Sequence, residues 1–188
     1  MAYYFLVSQL PYLSYGQEPP FPSASFRELC GEMLSKKDAQ LLEFCRLGIE
    51  NDEEPSITHS LFINNWIERE RTLWLNLAQI RAGKLKREPP ADVPHDSAEA
   101  EAQARAAFVL ENPLEAEILI DKGRWDAVES LAGTDYFGVN TIYAYLLKLL
   151  LIERRSSFKT EEGFAEYKAL YAKIIEQAPG AGANGEPK

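Results

Sequence analysis

Apolar positions recur along this chain at three- and four-residue steps, most densely from Val139 to Arg155, VNTIYAYLLKLLLIERR. Between Ile142 and Ile152 only Lys148 is charged, and the apolar residues fall on every side of a helical projection. A helix apolar all round belongs in a core with neighbours on most faces. A bilayer span needs about 20 such residues, so this stretch predicts a buried helix that the rest of the chain must wrap.

The wrapping is legible from the N-terminus onward. Ala2 to Leu10, AYYFLVSQL, is aromatic, lacks helical caps and ends at Pro11, which predicts an extended start. YLSYGQEPPFP, Tyr12 to Pro22, reads as a Pro-rich loop. Ser25 with Glu28 forms a capping box for a short helix to Leu34. Ser35 with Asp38 opens another that runs to Leu47 and stops at Gly48, and the acidic Glu50 to Pro55 is a turn. A long helix follows from Ile57 to Leu85, with Phe62, Trp66, Leu73, Leu77 and Ile80 as its core stripe.

KREPPADVPHDS, Lys86 to Ser97, has no apolar period and reads as a linker. Ala98 to Leu110 is an Ala/Glu-rich helix, and Asn112-Pro113 with Glu115 starts the next. That helix is expected to break at Gly123, with a separate short one from Trp125 to Leu131. Asp135 to Gly138 turns into the central helix. Thr160 starts the last one, whose Phe164, Tyr167, Leu170, Tyr171 and Ile174 form a stripe. The sum is an all-α, multi-helix bundle of about seven helices in two halves with an extended N-terminal segment. The halves are residues 1–88 and 98–178, joined by 89–97 and followed by a disordered Gly/Pro tail, 179–188. In each half short helices lead into a long one, the outline of a degenerate internal repeat.

Charge narrows the function. The net charge is −9, split as −2 up to Glu88 and −7 from Pro89 onward. Nucleic acid and anionic lipid surfaces both need a basic footprint, so neither is an expected partner, and the short apolar run makes membrane insertion unexpected as well. Two cysteines, Cys30 and Cys45, are too few for a disulfide framework and read as small core side chains. The start has no signal-peptide pattern, which points to the cytoplasm.

Catalytic patterns are absent. There is no Glu-x-x-His, His-Glu-x-x-His, Cys-x-x-Cys, phosphate loop or dinucleotide fingerprint, and no cofactor or metal is expected. His59 reads as exposed or at the core edge, and His95 lies in the linker beside Asp92 and Asp96. Glu70 shares a helix face with Trp66, Leu73 and Leu77, so an acid held near the core with an arginine partner is expected. An ion pair at a helix crossing is the ordinary reading and a catalytic carboxylate the alternative. The informative side chains are aromatic: Tyr3, Tyr4, Tyr12, Tyr15 and Phe21 crowd the start and are candidate partner contacts. Arg81, Lys84 and Arg87 at the end of the long helix suit its dipole, or form a docking patch for an acidic partner.

Three stretches taken together, YYFLVSQLPYLS, WIERERTLWLNLAQIRAGKL (Trp66 to Leu85) and DYFGVNTIYAYLLKLLLIERR (Asp135 to Arg155), resemble an uncharacterised bacterial family. The genes of that family sit with those for the vacuolar/archaeal-type (V/A-type) ATPase of spirochaetes, Bacteroides and chlamydiae. The resemblance implies a non-enzymatic accessory or central-stalk component, peripheral to the inner membrane, with other proteins of the ATPase as its partners. Such a component would act like the all-helical, pseudo-repeated socket that joins the rotor shaft of these enzymes to their membrane ring. This chain is much shorter than that socket protein and matches none of its motifs residue by residue. A free-standing helical adaptor or regulator is the alternative, and a small enzyme with a buried carboxylate the third reading.

Overall fold

A computed structural model of the chain describes residues 3–48, 58–89, 98–158 and 160–177. Among them are eight α-helices, one 3-10 turn and no strand. In chain order they are α1 (Tyr4–Gln9), α2 (Ser23–Met33), α3 (Lys36–Leu41) with the 3-10 turn Leu42–Phe44, α4 (Leu61–Leu85), α5 (Ala98–Val109), α6 (Pro113–Ala132), α7 (Val139–Ser156) and α8 (Thr160–Gln177). The fold is all-α, as the periodicity predicts. The chain divides into two compact units, Met1–Arg155 and Ser156–Lys188. The expected linker falls, apart from Pro89, outside the described residues, as do the expected acidic turn and the tail.

In the first unit α7 is the axis of the core. Ile142, Tyr143, Leu146, Leu147, Leu149, Leu151 and Ile152 are all buried. Their cluster takes in Leu6 of α1, Phe26 and Cys30 of α2, Leu41 of α3, Phe62 and Trp66 of α4, and Trp125 and Val128 of α6. A smaller cluster joins Leu73 of α4, Ala100, Ala104 and Ala107 of α5, and Ile120 of α6. Alanine on the inner face of α5 lets its backbone come close to α4, the helix it packs against most.

The helix starts show which local signals hold. Ser35, Ser60 and Asn112 cap α3, α4 and α6, accepting from the N–H groups of Asp38 (3.2 Å), Ile63 (3.4 Å) and Leu114 (3.0 Å). The Ser25–Glu28 box is not used. Helix α2 begins two residues earlier, and the Ser23 N–H donates to Glu153 Oε1 of α7 at 2.6 Å. A remote carboxylate thus sits at the positive end of the α2 dipole. The long helix ends in a Schellman motif: Lys86 is left-handed (φ 51°), Arg87 N–H donates to Ala82 O (2.9 Å) and Lys86 N–H to Gly83 O (3.3 Å).

Four further expectations need correction, and one is the start of the long helix, which lies at Leu61 rather than Ile57. The start of the chain is not extended but helical from Tyr4 to Gln9. Six residues are too few to hold a helix in isolation, where about 12–15 are needed. Here buried Leu6 and the Tyr3 N–H bond to Phe137 O (2.7 Å) hold it instead. Helix α3 stops at Leu41 and tightens into the 3-10 turn rather than reaching Leu47. Gly123 breaks nothing, because α6 runs through it from Pro113 to Ala132.

Candidate functional site

The turn before α7 is built by its own residues. Asp135 O accepts from the Gly138 N–H (3.3 Å) and from Thr141 Oγ (2.8 Å), while Asp135 Oδ1 accepts from the Phe137 N–H (3.3 Å). A Cβ on Gly138 would lie 2.2 Å from Asp135 Oδ2, so the side chain that shapes the turn leaves no room there. The bond from Tyr3 N–H to Phe137 O splices α1 onto this turn and brings the Tyr4 and Phe137 rings to 4.7 Å, tilted by 37°. Both remain exposed, at 62% and 40%, and so do their sequence neighbours Phe5 and Tyr136.

The candidate partner residues fall into separate environments. Tyr4 belongs to the exposed aromatic face, and Tyr12 is also exposed. Tyr3 is turned inward: its hydroxyl donates to Asp38 Oδ2 and accepts from the Ser35 N–H at 3.2 Å. Tyr15 is half-buried, its hydroxyl donating to Ile118 O (3.1 Å), its ring edge-on to Trp125 and under the Arg155 guanidinium at 5.0 Å. Burial is the main reason its hydroxyl titrates above the usual tyrosine value. Phe21 is half-buried and stacks with Phe26 and Tyr145, both at 6.2 Å. Arg81, Lys84 and Arg87 are exposed at the end of α4, where Lys84 Nζ lies 5.0 Å from the centre of the Phe108 ring. The sequence pointed to the aromatic start but not to Phe137, which only the fold brings beside it.

Residues 107–178 match the model of a family described as "Protein of unknown function (DUF2764)". No curated protein matches the chain, and no solved structure does. The matched segment runs from the end of α5 to the end of α8, so it contains the turn with Tyr136 and Phe137 and the whole of the core helix.

That segment also supplies most of a buried charge network. Glu70 of α4 is 3% exposed and is gripped from three sides. Arg124 of α6 donates Nε to Oε1 (2.9 Å) and Nη2 to Oε2 (2.8 Å), the Gly48 N–H donates to Oε2 (3.0 Å), and Arg69 Nη1 stands 3.5 Å from Oε1. The arginine expected beside Glu70 is therefore chiefly Arg124, and the ion pair at a helix crossing is what the structure contains. Arg124 Nη1 also donates to Asp121 (2.9 Å), which Arg154 of α7 approaches at 3.3 Å while donating to Glu117 at 2.6 Å. Burial tends to lower the pKa of Arg124, but Glu70 and Asp121 outweigh it and push the guanidinium above its ordinary value. Burial raises Asp121 above its ordinary value, with Arg124 and Arg154 opposing it.

Beside the network Gly123 has a positive role. Arg69 Nη2 donates to Gly123 O (2.7 Å) and to Gln103 Oε1 (3.0 Å), and Gln103 Nε2 donates to Ile120 O at 2.9 Å. A Cβ on Gly123 would lie 2.0 Å from Gln103 Nε2. Alanine is the better helix former by about 1 kcal/mol, yet Gly123→Ala is expected to destabilise by about 1–2 kcal/mol, because Gln103 must give up its bonds. Urea unfolding checks this, and a more stable variant would show that Gln103 moves aside freely.

Cys30 and Cys45 are free, buried core side chains, as expected. Burial pushes the Cys30 thiol up to about 12, and that of Cys45 higher still, so neither is a thiolate at neutral pH. Among the described residues no group of three His, Cys, Asp or Glu side chains could hold a metal ion. His59 is exposed, and His95 lies outside the described residues. No helix among the described residues is long and apolar enough to cross a membrane.

Proposed function

We propose that this chain is a non-enzymatic accessory or central-stalk component of a bacterial V/A-type ATPase, acting in the cytoplasm through protein–protein contacts. The observation that carries the docking role is the Tyr4–Phe137 pair, in ring-to-ring contact yet exposed, with Phe5 and Tyr136 also exposed beside it in sequence. Aromatic side chains present large rigid areas and are enriched among residues that dominate interface energies. The choice of partner rests on the resemblance of the three stretches, two of which, the first and third, meet at this face. The Glu70 carboxylate supports a non-catalytic reading, since both its oxygens are engaged by arginines and a backbone N–H.

The test is co-purification. The tagged full-length chain is expected to bring down ATPase subunits, and Tyr4→Ala with Phe137→Ala to lose them while melting near the parent temperature. Repeated absence of ATPase subunits from the parent's eluate, from both soluble and membrane fractions, would favour a free-standing adaptor.

A further inference from the structure

Helix α8 carries a second, different surface. Phe164, Tyr167, Leu170, Tyr171, Ile174 and Ile175 are 50–61% exposed along one side of 18 helical residues. Six large side chains at that exposure leave roughly 700 Å² of apolar area. That exceeds the largest patch of a typical monomer, about 300–600 Å², and approaches the ~800 Å² per partner of a standard interface.

We propose that α8 pairs with α8 of a second copy of this chain, the two helices lying parallel and in register. Phe164, Tyr167, Tyr171 and Ile174 are spaced three, four and three residues apart, the seam of a two-stranded coiled coil. The remaining two side chains choose the partner and the direction. In a parallel pair a residue just before one seam position flanks the residue five places further along the other helix. Leu170 of one copy therefore meets Ile175 of the other, and all six exposed side chains are covered. By the same spacing Lys168 meets Gly163, so no like charges face each other. Lys168 already lies along the seam of its own helix, its Nζ 4.4 Å from the centre of the Phe164 ring. An antiparallel pair that keeps the seam layers aligned has its two-fold axis near residue 169 and sets the two Lys168 ammonium groups beside each other. A parallel copy of the same helix thus satisfies both the area and the flanks.

Sedimentation equilibrium of the full-length chain over a micromolar concentration series is the test. A reversible monomer–dimer equilibrium is expected. Tyr167→Lys with Tyr171→Lys should weaken it on the order of 100-fold or more, with the helical circular dichroism kept. Oxidised Ile174→Cys should form a disulfide-linked dimer, because paired seam positions lie opposite each other, while Ala169→Cys on the far side should not. A monomer at every concentration overturns the pairing, including the case in which α8 is held only by another protein. A dimer that survives the double lysine variant overturns the seam. An Ile174→Cys variant that never crosslinks overturns the parallel register.

Discussion

Replacing Arg124 with methionine is expected to destabilise the first unit by about 3–5 kcal/mol, the usual cost of removing one partner from a buried ion pair. Methionine fills much of the volume, so the loss comes from charge. Glu70, with its side chain 2% exposed, and Asp121, with its side chain 1% exposed, are left with a buried negative charge on each and fewer donors to meet it. Arg69 remains 3.5 Å from Glu70 and Arg154 3.3 Å from Asp121, which keeps the effect below that of two isolated charges. The deficit should depend on pH. Burial already raises Asp121 in the parent above its ordinary value, and without Arg124 it rises further. A carboxyl whose folded pKa exceeds its unfolded one loses stability as the pH rises through that window. The gap between variant and parent should therefore be widest at neutral pH and narrow on acidification. Urea titrations at several pH values read this directly. A pH-independent loss would mean that packing, not charge, is what Arg124 supplies. Glu70→Gln is the companion measurement, since in the enzyme reading it would abolish a turnover while leaving the melt unchanged.

The helices and their burial were legible wherever a local signal decided them. The Ser35 and Asn112 caps of α3 and α6 act locally, and the oily run of α7 permits no exposed alternative, whereas the Ser60 cap that starts α4 went unread. Legibility failed where a partner distant in sequence decides. Tyr4–Gln9 is helical because Phe137 and the core hold it, and no property of AYYFLVSQL taken alone implies that. Ser25 with Glu28 is a sound capping signal that lost to Glu153, more than a hundred residues away along the chain. Gly123 looked like punctuation because glycine is a poor helix former, whereas its lack of a Cβ is what lets Gln103 sit against α6. The candidate docking face followed the same pattern. Tyr4 could be picked from the sequence, but its ring partner Phe137 lies across a loop closure that only the assembled core sets up. Tyr3 looked the same in sequence as Tyr4 and turned inward, since Asp38 supplies its hydroxyl with a partner.

Leu146→Glu is expected to have the largest effect of any single change in the chain, removing cooperative unfolding of the first unit or lowering its melting temperature by more than about 15 °C. Leu146 is fully buried, one of seven such residues on α7 within the same cluster. Its removal forfeits about 1.5–3 kcal/mol of apolar burial. The larger penalty is the carboxylate, which enters a region of Phe, Trp, Leu and Ile side chains and must either stay charged without a partner or take up a proton. The buried network cannot rescue it, because Arg124 and Arg154 are already committed to Glu70, Asp121 and Glu117. Together these terms reach the 5–15 kcal/mol that is all a domain of this size has. Circular dichroism at 222 nm during heating would register the loss. Helix α8 belongs to the other compact unit, and its 18 helical residues add their own signal to that reading. An unaltered melting curve would mean that α7 is not the axis of the core, and the docking face at its N-terminal turn would lose its support with it.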